Sequence, residues 1–163
     1  MGCTPVHQAH KISNMNDTPN PNQIFAPAKA AHDAGNVTEA EPLDKQLFDI
    51  APEHPDVLHL LGVLYGQTGR FDDAIKAIGD AISKVSGDSS YHYNYGNVLL
   101  QIKRWDEAAT AFGKSLEIAP KIPDAAFNLG LVLKQGRRID DAEQAFRHVI
   151  SLNADHADAL AEL

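Results

Sequence analysis

The sequence predicts an all-α fold, an alpha-alpha superhelix (solenoid) of stacked helical hairpins, and three observations carry that prediction. Glycines recur at one constant interval, at Gly62, Gly96 and Gly130. Each is followed at a second constant interval by an alanine, Ala74, Ala108 and Ala142, as suits two antiparallel helices that approach closely. A bulky residue comes one helical turn further on, Ile78, Phe112 or Phe146, and is expected to fill the gap toward the neighbouring copy. One such hairpin cannot bury both faces alone, so the copies must stack.

The chain has 163 residues, enough for one domain with a core. Its formal charge of -8 and pI near 5.3 disfavour nucleic acid and anionic membrane, which attract surplus Lys and Arg. A protein or peptide partner of basic or neutral character is expected, with no nucleic acid and no membrane. The single cysteine, Cys3, excludes an intrachain disulfide framework and a cysteine-built zinc site. No apolar run approaches a membrane span or a secretory signal, so a cytoplasmic location is expected. Met1-Gly2-Cys3 opens like an acylation signal, but Val6 stands where that motif has Ser or Thr.

Residues 1–20 carry Pro, Asn, Thr and His without apolar period and are expected to be a flexible tail. Met15 is a second candidate start. His7 and His10 have no third ligand and no helix to hold them, so they are not assigned as a metal pair. The array is expected over 21–163, in copies at about 21–54, 55–88, 89–122 and 123–156 with a partial fifth at 157–163.

The first copy is worn. Ala30, Ala31 and Ala34 precede Gly35, and Val37, Ala40, Leu47, Phe48 and Ala51 lead to Pro52. Proline is tolerated only in a first helical turn and costs about 3 kcal/mol deeper in, so Pro27 and Pro42 predict helices that start late or fray. The second copy is cleaner, with stripes at Leu58, Leu61, Gly62, Tyr65 and at Phe71, Ala74, Ile75, Ile78, Ala81, Ile82, Val85. Gly69 between them suits a left-handed turn. In the third copy Lys103 stands where that turn glycine is expected, at a cost of about 1 kcal/mol if the site is left-handed. The fourth copy is expected to turn at Gly136.

The carboxylate pairs Asp72-Asp73, Asp106-Glu107 and Asp140-Asp141 recur at the same register. They are expected in first helical turns, beside the exposed amides there. Adjacent residues on a helix point in different directions, so these pairs are not acid–base machinery. Gly113-Lys114-Ser115 imitates the end of a phosphate loop, but Ala108 replaces the required glycine and the segment is helical. His54, His59, His92, His148 and His156 are scattered and form no metal motif. No catalytic constellation, metal site or cofactor is expected.

The spacing Leu58-x-x-Leu61-Gly62-x-x-Tyr65, then Ala74 and Ile78, resembles the tetratricopeptide repeat over roughly residues 21–163. It departs from that signature at Leu58, His92 and Ala126, which replace its Trp, and at Ser86 and Ala154, which replace its closing Pro. The resemblance implies a right-handed superhelix whose inner surface is lined by the first helix of each copy. Binding is then expected there, at His59, Tyr93, Asn94, Asn97, Gln101, Phe127, Asn128, Lys134 and Gln135, with Val63 beside them. Rings bury apolar side chains and carboxamides both donate to and accept from a backbone, which suits an extended peptide. On the alternative reading Tyr93 and Phe127 only pack against adjacent copies.

Asn94 and Asn128 also resemble the asparagine ladder in the repeats of O-linked N-acetylglucosamine transferases, although Leu60 and Glu162 interrupt it. Chaperone-binding tetratricopeptide domains grip acidic tails with lysines on this surface, which His59, Tyr93 and Phe127 do not supply, so such a tail is not the expected ligand. The expected function is therefore a protein-interaction scaffold holding an extended peptide. A second expectation follows from the resemblance to bacterial tetratricopeptide glycosyltransferases and sulfotransferases, namely that these repeats recruit substrate for a catalytic domain beyond Leu163. Self-association through an uncapped C-terminal face is also expected.

Overall fold

The computed structural model describes residues 20–163, which form nine helices and no strand. The readings of Cys3, Met15, His7 and His10 lie outside the described residues. The helices are α1 (Pro21–Asp33), α2 (Val37–Ile50), α3 (Pro55–Gln67), α4 (Phe71–Lys84), α5 (Ser89–Gln101), α6 (Trp105–Ile118), α7 (Pro123–Gln135), α8 (Ile139–Leu152) and α9 (Ala157–Ala161). Short turns fold α1 on α2, α3 on α4, α5 on α6 and α7 on α8, while α2 meets α3, α4 meets α5 and α6 meets α7. Contacts of α3 with both α1 and α5 put the first helices of successive hairpins side by side.

The closest helix approaches occur where the sequence has its small residues. A methyl on Gly96 would lie 2.7 Å from Phe112 Cε1, one on Gly130 2.5 Å from Phe146 Cε1, and one on Gly62 would collide with Ile78 Cγ1. The bulky residue thus seats on the glycine of its own hairpin. The second helix returns antiparallel to the first, and this brings the ring or branched side chain level with the glycine. Phe112, Phe146 and Ile78 are fully buried there.

The turns inside the hairpins share one left-handed residue, Gly35 (φ 66°), Gly69 (φ 78°), Lys103 (φ 61°) and Arg137 (φ 59°), at the interval of the repeat. The fourth turn is therefore centred one residue after Gly136, which itself closes α7 at φ −76°. Lys103 and Arg137 hold a conformation that costs a side-chain-bearing residue about 1–2 kcal/mol. Pro27 and Pro42 correct another expectation, because α1 and α2 start before them and run through them. Both prolines are exposed, so the carbonyl each leaves without an amide one turn earlier faces water, and packing of the opposite face holds the helix.

The carboxylate pairs sit in first turns as expected, with one feature added. Arg70, Arg104 and Arg138 precede α4, α6 and α8 and pair with Asp73, Glu107 and Asp141. In the first copy Asn36 takes the same place, its side chain accepting from Glu39 N and donating to the Glu39 carboxylate.

The first hairpin departs most from its neighbours. One period before Gly62 and Ile78 stand Ala28 and Asp44, both with no exposed surface. A methyl has been added where the others have none, and the bulky residue has become a carboxylate. Asp44 Oδ2 meets His32 Nε2 at 2.7 Å, while Asp44 Oδ1 is buried with no hydrogen-bond partner.

Candidate functional site

One register of the first helices carries a ring in each successive copy, Phe25, His59, Tyr93 and Phe127, and the first three line one cavity. All are half-buried, and each of the last three leans on packed neighbours. His59 lies 4.6 Å from the Tyr91 ring, Tyr93 5.9 Å from Phe112, and Phe127 5.7 Å from Phe146 and 5.1 Å from His156. Tyr93 and Phe127 therefore rest on the second helix of their own hairpin, half-buried, and Tyr93 also lines the cavity described below. From the sequence Phe25 reads only as the start of the first copy's helical pattern and not as a binding residue, although stepping back by one period from His59 finds it.

The carboxamides are engaged rather than free. Asn94 Nδ2 donates to His59 Nε2 at 2.9 Å, and Asn128 Nδ2 donates to Asn97 Oδ1 at 3.1 Å. Each bond ties one hairpin to the next. Gln101 and Gln135 stand exposed at the register of Gln67, whose Oε1 lies 3.4 Å from His32 Nδ1 and whose Nε2 donates to the His32 carbonyl. Lys134 pairs with Glu162 and so is not an unmatched cation. Val63 is half-buried beside these residues and lines the same groove.

Between α1, α3 and α5 the groove deepens into a cavity of about 510 Å³, lined among others by Phe25, His59, Tyr93 and Asn94. Asp56 and Asp88 add carboxylates to its wall, and the Tyr91 hydroxyl donates to Asp56. Burial and the neighbouring Asp56 hold the Tyr91 phenol well above its ordinary value, so it stays a donor. Burial pushes Asp88 up, but the hydroxyl and amide of Ser90 outweigh this and hold it below the usual carboxylate range. Burial also drives His59 down to about 4, against the opposing pull of Asp88 and Asp56. The ring is neutral at pH 7, and its Nε2 accepts from Asn94. Sequence reasoning missed Asp56, Asp88 and Tyr91, since Asp56 and Asp88 stand at the starts of α3 and α5 and Tyr91 is buried, and only stacking brings the three together.

This arrangement can hold a chain by ring contacts, carboxamide hydrogen bonds and carboxylates. Among the described residues no three His, Cys, Asp or Glu side chains are grouped to hold a metal ion. No helix there is long and apolar enough to cross a membrane.

Family models described as tetratricopeptide repeat match residues 59–126 and 123–156. No curated protein matches the chain. Among solved structures, the chain resembles a MamA protein at 21% identity and a TM-score of 0.74, with 91% of this chain and 80% of that one covered. It resembles PilF of Pseudomonas aeruginosa at 22% identity and a TM-score of 0.78, covering 87% of this chain and 65% of PilF. An O-GlcNAc transferase mutant of Thermobaculum terrenum aligns at 26% identity and a TM-score of 0.72, over 80% of this chain but 26% of the transferase.

Proposed function

Since this chain is a tetratricopeptide repeat protein, we propose that its protein-interaction role is to hold an extended peptide segment of a partner along the inner face of its first helices. The observation that carries this reading is the ring register Phe25, His59, Tyr93 and Phe127, set beside hydrogen-bonded carboxamides that bridge successive hairpins. Rings supply burial for alternate side chains of an extended strand, and carboxamides supply both donors and acceptors for its backbone. The binding residues are those named from the sequence, with Phe25 added.

The test is selection of binders from a random dodecapeptide library, followed by fluorescence-polarisation titration of the selected peptides. In Asn94→Ala/Asn128→Ala the affinity is expected to fall about tenfold, since two hydrogen bonds are worth roughly 1–3 kcal/mol together. Helix content is expected to persist. A library that yields no binder, or a double variant that binds as well as wild type, would remove the groove reading.

A second reading, that the repeats recruit substrate for a glycosyltransferase or sulfotransferase domain beyond Leu163, is supported by the likeness to the Thermobaculum enzyme. Reading the coding frame past Leu163 decides it, and a stop codon there would sink it.

A further inference from the structure

The charges around the α1–α3–α5 cavity do not balance. Asp33 is matched by Lys29 at 2.9 Å, but among the described residues no lysine or arginine pairs with Asp56 or Asp88. His54 Nδ1 lies 3.7 Å from Asp56 Oδ2, yet that nitrogen accepts the Asp56 amide and so carries no proton toward the carboxylate. His59 stands between the two carboxylates as a neutral ring above about pH 4. The lining thus carries two unmatched negative charges, with the Phe25 and Tyr93 rings on the same wall. Further along, Lys134 and Glu162 cancel.

We propose that the partner segment is cationic, and that it seats a lysine or arginine side chain in the cavity between α1, α3 and α5, against Asp56 and Asp88. This rests on the groove reading above and adds the chemistry and the polarity of the occupant. Carboxylates half withdrawn from water attract a cation more strongly than exposed ones. The flanking rings add a favourable face for the charged head and cover its apolar stem. A glutamate in the same place would meet two like charges and is excluded.

The experiment uses three fluorescein-labelled pools of dodecapeptides with a central Arg, Gln or Glu and flanks randomised among Ala, Leu, Val, Ser and Asn. The Arg pool is expected to bind at least about tenfold more tightly than the Gln pool, and the Glu pool more weakly still. In Asp56→Asn/Asp88→Asn the Arg preference should vanish. Asparagine keeps the acceptor for Tyr91 and the cap of α5 while removing the charge, and circular dichroism confirms the fold. As a readout without mutation, raising KCl from about 50 to about 500 mM should weaken the Arg pool and leave the Gln pool nearly unchanged. Equal affinity of Arg and Gln pools, a preference that survives in the double variant, or salt-insensitive Arg binding would overturn the inference while leaving the groove reading in place. Failure of every pool to bind would bring down both.

Discussion

His59 joins sequence register, burial and charge in one side chain. In the unfolded chain its ring takes up a proton near pH 6.5, whereas in the fold it does so only near about 4. Between these values the unfolded state binds more protons, so stability falls as pH drops through that window. Thermal melts from about pH 7 down to about pH 4 should show a declining midpoint, with a shallower decline in His59→Gln. An unchanged slope in that variant would show that the ring does not titrate as described. The position of His59 was legible because Tyr93 and Phe127 repeat it. Its state was not legible, because neutrality depends on burial against Tyr91 and on the pull of Asp56 and Asp88. Tyr91 lies on α5 and Asp88 caps its start, and they reach His59 only through the stacking of α3 on α5.

At the scale of the helix, glycine has two meanings in this chain. Gly96 faces Phe112 at a distance that leaves no room for a methyl, while Gly113 faces open space. Gly96→Ala should therefore cost about 1–3 kcal/mol through overpacking, and Gly113→Ala should gain roughly 0.5–1 kcal/mol by removing a mid-helix glycine. Urea unfolding of the two variants checks the opposite signs. The period alone does not tell these glycines apart, since Gly96 recurs as Gly62 and Gly130 but Gly113 also lies one period after Gly79, and the packing role expected of that second pair is absent because both face open space. The fourth turn falls at Gly136 as expected, but its left-handed residue is the neighbouring Arg137, from which the glycine drew attention. Sequence reasoning also misjudged Pro27 and Pro42, since the local cost of a proline says nothing of whether the freed carbonyl faces water.

Across the whole molecule the hairpins are alike except the first. Its core has Ala28 and Asp44 in place of the glycine and the bulky apolar residue and closes on the His32–Asp44 pair, and a buried pair is fragile to loss of either member. His32→Ala should leave the Asp44 carboxylate buried alone and destabilise that hairpin by about 3–5 kcal/mol. Because each copy of a stacked array contacts only its neighbours, the loss should stay local. Hydrogen exchange should show α1 and α2 opening first, with α5 to α8 retaining their protection. A uniform loss of protection would contradict this. Neither His32 nor Asp44 stood out in the sequence, because a worn copy conceals which of its departures compensate one another.

That compensation has a consequence for how the chain finds its own register. Arrays of near-identical hairpins risk pairing a first helix with the wrong second helix, one period out. Here a pairing of α1 with α4 would press the Ala28 methyl where Ile78 already occupies the space above Gly62. Pairing α3 with α2 would set Gly62 opposite a carboxylate, leaving a void and a charge without His32. The first hairpin thus carries a steric and electrostatic address, and chains that start assembling one copy out of step meet a penalty at the outset.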